Sequence, residues 1–168
     1  AIDGLLRPPT QDQTGTGGTG LVAADDVARG GLTATVELTT SAVFNTVLSG
    51  DGAGMNYYNS SDARFYTIDK DGNVVALSDT QFPNAESVGW NKDSEKAVIE
   101  FPDGSNIVYD FSSEQQVTLP AHWEDFEFSP VKDEIIAKSI ALDPNNRYLI
   151  ISSDDGSSAK GIQALGSN

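Results

Sequence analysis

The chain reads Met55-Asn56-Tyr57-Tyr58, a turn, Phe65-Tyr66-Thr67-Ile68, a second turn, and then Val74-Val75-Ala76-Leu77. Aromatic and β-branched residues favour strands, and a dipeptide such as Asp71-Gly72 has the chemistry of a chain reversal. These three runs therefore predict three consecutive β-strands, and a fourth is expected to end near Leu48-Ser49-Gly50-Asp51. Four short strands joined by tight turns form an antiparallel meander.

The same pattern recurs about 42 residues later in the chain. The second copy contains Ala97-Val98-Ile99-Glu100, Ile107-Val108-Tyr109 and Val117-Thr118-Leu119, and a third copy is marked by Phe128-Ser129-Pro130. A fixed period near 40 residues with four β-type runs is typical of propeller blades. We predict an all-β fold of three tandem four-stranded antiparallel blades. They would form a partial or open ring, because a closed propeller needs about four to eight blades.

The repeats divide the chain into three predicted parts. The blades are expected at about 42–80, 85–121 and 123–166, within a repeat region that spans 42–168. The first 31 residues are rich in Gly and Thr, and they are predicted to form a flexible N-terminal segment. Residues 32–41 alternate and are rich in β-formers, so they predict an extra strand outside the blades.

Apolar runs within the repeats predict how the blades pack. Val98-Ile99 and Ile135-Ile136-Ala137 are continuously apolar and do not alternate with polar residues. Such runs suit an inner strand that is buried on both faces. A single blade cannot bury two apolar faces, so we expect neighbouring blades to stack on each other.

The extra strand has no obvious partner within the chain, because the third repeat already contains a fourth strand of its own. We expect the strand to close a blade or to be donated to another chain. Its candidate interaction residues are Leu32, Thr33, Thr35, Val36 and Leu38. Unpaired strand edges are templates for association, so the expected partners are another protein or further copies of this chain.

Composition excludes several classes of function. The 168 residues include 25 acidic and 10 basic ones, for a net charge of −15, which disfavours nucleic acid and anionic membrane surfaces as partners. The absence of cysteine excludes disulfides, thiolate catalysis and zinc–thiolate sites. No apolar run is long enough to cross a membrane. The lack of cysteine and the first residue, Ala1, favour an exported protein, periplasmic or extracellular.

The repeat resembles that of TolB-type (WD-like) propellers. The similarity rests on Phe128-Ser129-Pro130, on the looser match Trp90-Asn91-Lys92-Asp93, and on the strand and turn from Tyr66 to Asn73. It departs from the family pattern at Val131-Lys132-Asp133, where the family usually has Asp-Gly-Lys. The resemblance implies three N-terminal blades of a bacterial propeller protein, and whole members usually carry six or seven blades.

Few residues are candidates for catalysis. His122 is the sole histidine, so any Ser-His-Asp site would have to use it, but a structural role at the junction of two blades is favoured. Glu124, Asp125 and Glu127 flank the inner strand of the third repeat, and paired carboxylates are what a glycosidase requires. Trp90 and Trp123 could stack on sugars, although blade cores commonly use aromatic residues.

A calcium site is a weaker hypothesis. Asp69, Asp71 and Asn73 place oxygen ligands at alternate positions, as calcium loops do, but the later glutamate of such a loop is missing. A hairpin turn explains the same residues without a metal, and the same holds for Asp154-Asp155-Gly156. We therefore expect no cofactor and keep calcium as the alternative.

The sequence favours a non-catalytic propeller-type binding or scaffold protein that mediates protein interactions. One alternative is a structural subunit that assembles through open blade edges and strand donation. A second alternative is a glycan-active hydrolase that uses the carboxylates of the third repeat.

Overall fold

The computed structural model describes Glu37, Thr39 and residues 42–166. The predicted flexible segment 1–31 lies outside these residues. The same is true of nearly all of the predicted strand 32–41, including its five candidate interaction residues.

The described chain contains twelve strands and one short 3₁₀ helix, which spans Pro144–Asn146 and is capped by the Asp143 side chain. The strands of the first sheet are β1 Val43–Leu48, β2 Met55–Asn59, β3 Arg64–Ile68 and β4 Val74–Ala76. Those of the second sheet are β5 Ser87–Trp90, β6 Lys96–Glu100, β7 Ile107–Asp110 and β8 Gln115–Thr118. Those of the third sheet are β9 Trp123–Phe128, β10 Glu134–Ser139, β11 Tyr148–Ser153 and β12 Ala159–Ala164.

Each sheet is an antiparallel meander in which strands consecutive in sequence are also neighbours in space. The first strands of the sheets lie side by side, β1 next to β5 and β5 next to β9. Within the described residues the three sheets do not close into a ring. The predicted fold class, three four-stranded blades of a propeller-like fold in an open arrangement, is confirmed.

The second sheet is buried on both of its faces. Ala97, Ile99 and Tyr109 pack toward the first sheet, whereas Val98 and Val108 pack toward the third. Successive residues of a strand point to opposite faces, so a continuous apolar run can serve two neighbours at once. This accounts for the absence of polar alternation in β6 and β7.

Aromatic rings dominate the contact between the first and second sheets. Phe65 on β3 is fully buried, and its ring lies 5.3 Å from that of Trp90 and 5.0 Å from that of Phe111, both edge-on. The indole nitrogen of Trp90 donates a hydrogen bond to the carbonyl of Asn45 on β1. Trp90 is therefore part of the contact between two sheets, and this position explains it without a sugar ligand.

The contact between the second and third sheets combines aromatic and aliphatic residues. Its buried members are Val98, Val108, Leu119, Trp123, Phe126, Phe128, Ile135, Ala137 and Ile150. An ion pair lies beside this core, in which Lys96 on β6 donates to the buried carboxylate of Asp154 at 2.6 Å. The hydrogen bond to Asp154 raises the pKa of Lys96.

Polar contacts also connect the first and second sheets. Asn56 donates its side-chain amide to the carbonyl of Ser94, and the Ser94 hydroxyl donates to the carbonyl of Leu48. Gly50 lies close to the turn between β5 and β6, which contains Asp93 and Ser94. A Cβ atom at position 50 would be 2.3 Å from the carbonyl oxygen of Asp93. Only glycine allows the two backbones to approach to this distance.

Phe65 offers a direct test of the stacking. Replacing Phe65 with alanine should lower the free energy of unfolding by about 3–5 kcal/mol, because the cavity lies among four aromatic rings. The exposed Val75 on β4 is the control, and Val75→Ala should cost less than about 1 kcal/mol. Urea denaturation followed by tryptophan fluorescence measures both. Equal losses for the two variants would contradict the proposed role of the aromatic cluster.

Candidate functional site

A cavity of about 650 Å³ opens between the second and third sheets. It lies at the end of the sheets where β5 and β9 begin and where β6 turns into β7. The apolar part of its lining includes Phe101, Pro102 and Trp123. Five carboxylate side chains line it, and we refer to it as the acidic cleft: Glu86, Glu100, Asp103, Glu124 and Asp125.

The meander topology brings these carboxylates together. Glu86 immediately precedes β5, Glu100 ends β6, and Asp103 lies in the turn between β6 and β7. Strands β5 and β6 are antiparallel, so the start of one is adjacent to the end of the other. The third sheet stacks on the second, and the first residues of β9, including Glu124 and Asp125, therefore also line the cleft.

Asn106 joins the two walls of the acidic cleft. Its side-chain amide donates to the carbonyl of Trp123 at 2.9 Å, and its side-chain oxygen accepts from the backbone N–H of Phe101 at 3.0 Å. Both Asn106 and Trp123 are buried. One side chain thus holds the β6–β7 turn against the start of β9.

Glu100 shapes the wall of the cleft that β9 provides. Strand β9 contains an irregularity at Asp125, which has a positive φ of 55°. The backbone N–H groups of Asp125 and Phe126 both point at the Glu100 carboxylate and donate to it at 3.1 and 3.4 Å. Glu100 therefore satisfies the two donors that the bulge releases from the strand ladder.

The carboxylates of the cleft differ in how they are engaged. Asp125 forms an ion pair with Lys138 on β10, and the hydrogen bond to Asp125 raises the pKa of Lys138. Asp103 accepts from the backbone N–H and the hydroxyl of Ser105 within its own turn. Among the described residues, the side chains of Glu86 and Glu124 form no hydrogen bond and no ion pair. Glu124 lies directly across the strand ladder from Lys138 and, after Asp125, adds to the rise in the pKa of that lysine.

His122 and Trp123 lie at the same end of the third sheet. The imidazole is exposed, lines the acidic cleft and contacts the Trp123 ring edge-on at 6.4 Å between centroids. The Trp123 side chain is buried in the core between the sheets. The histidine therefore sits at the junction of two blades.

The three candidate carboxylates of the third repeat do not form one site. Glu124 and Asp125 line the acidic cleft, whereas Glu127 is not part of its lining. Glu127 pairs across the strand ladder with Ile136, on the face of the sheet that points away from the second sheet. A catalytic pair that includes Glu127 therefore has no shared cavity with the other two.

The calcium candidates lie in the turn between β3 and β4. One oxygen of Asp69 accepts from the backbone N–H groups of Asp71 and Asn73, and the other accepts from the Asn73 side chain at 2.7 Å. These bonds, led by that from the Asn73 side chain, lower the pKa of Asp69. A closed hairpin turn accounts for the arrangement, and calcium binding remains a prediction.

The described residues contain no group of three or more histidine or carboxylate side chains placed to hold a metal ion. They also contain no helix long and apolar enough to cross a membrane.

Three residues of the acidic cleft were not anticipated from the sequence: Glu86, Glu100 and Asp103. Each is an ordinary acidic residue at the end of a strand or in a turn, in a chain with 25 such residues. The one available signal was that strand ends of neighbouring repeats meet at the same end of a propeller.

No protein-family model matches the chain, and no curated protein matches it. Solved structures with the same fold include TolB from Acinetobacter baumannii, at 14% identity and a TM-score of 0.54, covering 76% of this chain and 33% of that one. Oligogalacturonate lyase from Vibrio parahaemolyticus has 14% identity and a TM-score of 0.58, with 78% and 43% covered. The tricorn protease has 10% identity and a TM-score of 0.55, with 71% and 13% covered.

These similarities show a propeller-type fold, which binding proteins and enzymes share. The chain spans less than half the length of each of these three structures.

Removing the Glu100 carboxylate should loosen β9. Glu100→Ala is expected to lower the free energy of unfolding by about 1–3 kcal/mol, because two backbone donors lose a charged acceptor. Glu95→Ala, which removes an exposed carboxylate without a hydrogen-bond partner in the described residues, should cost less than about 0.5 kcal/mol. Hydrogen exchange of the Asp125 and Phe126 amides gives a second readout. Unchanged protection of both amides in Glu100→Ala would refute this role.

The turn at Asp155 predicts a pH dependence. Hydrogen bonds from the Ser153 hydroxyl and from Ser157 lower the pKa of Asp155 from 3.8 to about 2. A carboxylate with a lowered pKa in the folded state stabilises the fold above its ordinary pKa, and this stabilisation is lost as the pH falls through the folded value.

We therefore expect Asp155→Asn to be less stable than the unaltered chain at pH 7, with a difference that shrinks between pH 3.8 and about 2. Thermal unfolding across this range measures it. A difference independent of pH would show that the ionised carboxylate is not responsible.

Proposed function

We propose that this chain is a non-catalytic binding module of the propeller type, which receives a positively charged segment of a partner protein in the acidic cleft. The observation behind this proposal is the lining of the cleft, in which five acidic residues surround a cavity of about 650 Å³. No lysine or arginine of the described chain is part of that lining.

Electrostatics favour a cationic ligand over other classes. A cleft lined by charges of one sign concentrates the field, raises the local concentration of ligands of opposite charge and accelerates their association. The net charge of −15 adds to this attraction. Anionic substrates, such as acidic sugars or nucleic acids, would be repelled from the same cleft.

The apolar part of the cleft lining suits the side chains of lysine and arginine. These residues bury their aliphatic stems against apolar surface while the charged group reaches polar partners. Phe101 and Pro102 supply such a surface, and Glu86 and Glu124 supply carboxylates that form no hydrogen bond or ion pair among the described residues. A peptide or a protein loop with one or two basic residues fits this chemistry.

The engagement of the other carboxylates supports a binding role over a catalytic one. Glu100 accepts two backbone N–H groups, and Asp125 is paired with Lys138. A hydrolytic pair needs one carboxyl group that gives up a proton and a second that attacks or activates water. The glycan-hydrolase alternative would have to rely on Glu86 and Glu124 for both roles.

We also infer that the blades are of the TolB type and that the protein acts outside the cytoplasm. The motif Phe128-Ser129-Pro130 and the absence of cysteine support these two inferences. Strand donation by residues 32–41 remains a prediction from the sequence, since its candidate residues lie outside the described chain.

Selection from a displayed peptide library tests the binding proposal. We expect peptides rich in lysine and arginine to be enriched, and Glu86→Gln/Glu124→Gln to bind them about tenfold more weakly. The matched control is Asp71→Asn/Glu114→Gln, which removes two exposed carboxylates that are not part of the cleft lining and should change affinity by less than about twofold.

An equal loss of peptide affinity in both double variants would show that the effect comes from net charge alone, and this would refute a binding site in the cleft. Enrichment of acidic or uncharged peptides would refute the cationic ligand.

A further inference from the structure

The third sheet has one face that no other sheet of the described chain covers. Ile135, Ala137 and Ile150 pack toward the second sheet, so Ile136 and Ile151 point the opposite way. We define this outer face by Ile136, Leu149 and Ile151, which are each partly exposed. The strands that carry it read as continuous apolar runs, as in the doubly buried strands β6 and β7 of the second sheet.

Charged residues of opposite sign flank this apolar surface. Glu127 on β9 lies directly across from Ile136 on β10. Ile136 lies across from Ile151 on β11, which in turn lies across from Lys160 on β12. One row across the four strands therefore runs Glu, Ile, Ile, Lys. Glu127 and Lys160 are both exposed, and neither has an ion-pair partner among the described residues.

We propose that a second copy of this chain docks on the outer face of the third sheet and forms a symmetric dimer. We place the twofold axis parallel to the strands of the sheet. Rotation about this axis puts β9 of one copy opposite β12 of the partner subunit, and β10 opposite β11, and each residue keeps its height along the strand direction. It places Glu127 of one copy opposite Lys160 of the partner subunit, and the isoleucines opposite one another. The row is thus complementary to itself, which a symmetric dimer requires.

The geometry of packed sheets allows these contacts to form. Sheets that pack face to face lie about 10 Å apart with their strands nearly aligned. A glutamate and a lysine that extend toward each other span this distance. Each dimer then contains two such ion pairs, one on either side of the isoleucines, and their arrangement fixes the orientation of the partner. Lys138, which lies on the same face across from Leu149, stays paired with Asp125 of its own copy.

The area of the outer face determines how strongly the two copies are expected to associate. Four strands about 4.8 Å apart and six residues at about 3.3 Å each give a face of roughly 20 by 20 Å. Two such faces cover about 800 Å² in total, which is small for a stable complex. We therefore expect a weak dimer, with a dissociation constant in the micromolar range. This self-association uses a different surface from the acidic cleft and goes beyond the proposed function.

Charge-reversal variants test the proposal. The dissociation constant of the dimer is measured for each full-length variant by sedimentation velocity at concentrations from about 1 to 300 µM. We expect a monomer–dimer equilibrium. Glu127→Lys and Lys160→Glu should each raise the dissociation constant at least about tenfold, because each creates two like-charge contacts. The combined Glu127→Lys/Lys160→Glu variant restores opposite charges and should return to within about threefold of the unaltered protein. Lys70→Glu, an exposed change on the first sheet, is the control and should leave the constant within about twofold.

Far-UV circular dichroism checks that each variant is folded, and the combined variant separates lost association from lost structure. Dimerisation with loss in both single variants and recovery in the combined one supports the proposal. A monomer at all concentrations, a dimer unaffected by charge reversal, a failure of the combined variant to recover, or growth into larger assemblies would each overturn it.

Discussion

Burial of the second sheet between its two neighbours is the interaction on which the rest of this structure depends. A four-stranded meander has two faces, and an isolated sheet cannot remove both from water. Ile99 and Tyr109 on one face and Val98 and Val108 on the other provide the surface on which the outer sheets pack. The first and third sheets are thus stabilised through contact with the second.

Directional contacts then determine how the sheets are placed on each other. Hydrophobic burial alone has little directional preference, whereas the bonds of Asn56 to the Ser94 carbonyl and of Asn106 to the Trp123 carbonyl connect specific backbone positions. The Lys96–Asp154 ion pair adds a third link between neighbouring sheets. The walls of the acidic cleft depend on the bonds of Asn106, because they hold the β6–β7 turn against the start of β9.

Many of the acidic side chains stabilise turns. Several aspartates in turns accept the backbone N–H of the residue two positions later: Asp51, Asp69, Asp103, Asp110, Asp143 and Asp155. Such bonds stabilise a tight turn and favour the ionised carboxylate. Glu86 and Glu124 differ, since they line a cavity and have no such partner in the described chain. Their availability, and not the net charge of −15, singles out the cleft.

The sequence by itself determined the three four-stranded units, because strand runs and turns depend on neighbouring residues and repeat along the chain. It also suggested that Asp69 to Asn73 form a turn, which is again a local property. The tertiary structure alone decided the cleft. Glu100 meets the N–H of Asp125 across 25 positions, and Glu127 is not part of the cleft lining although only one residue separates it from Asp125. Both outcomes follow from how one sheet stacks on the next, and this stacking brings together residues that are distant in sequence.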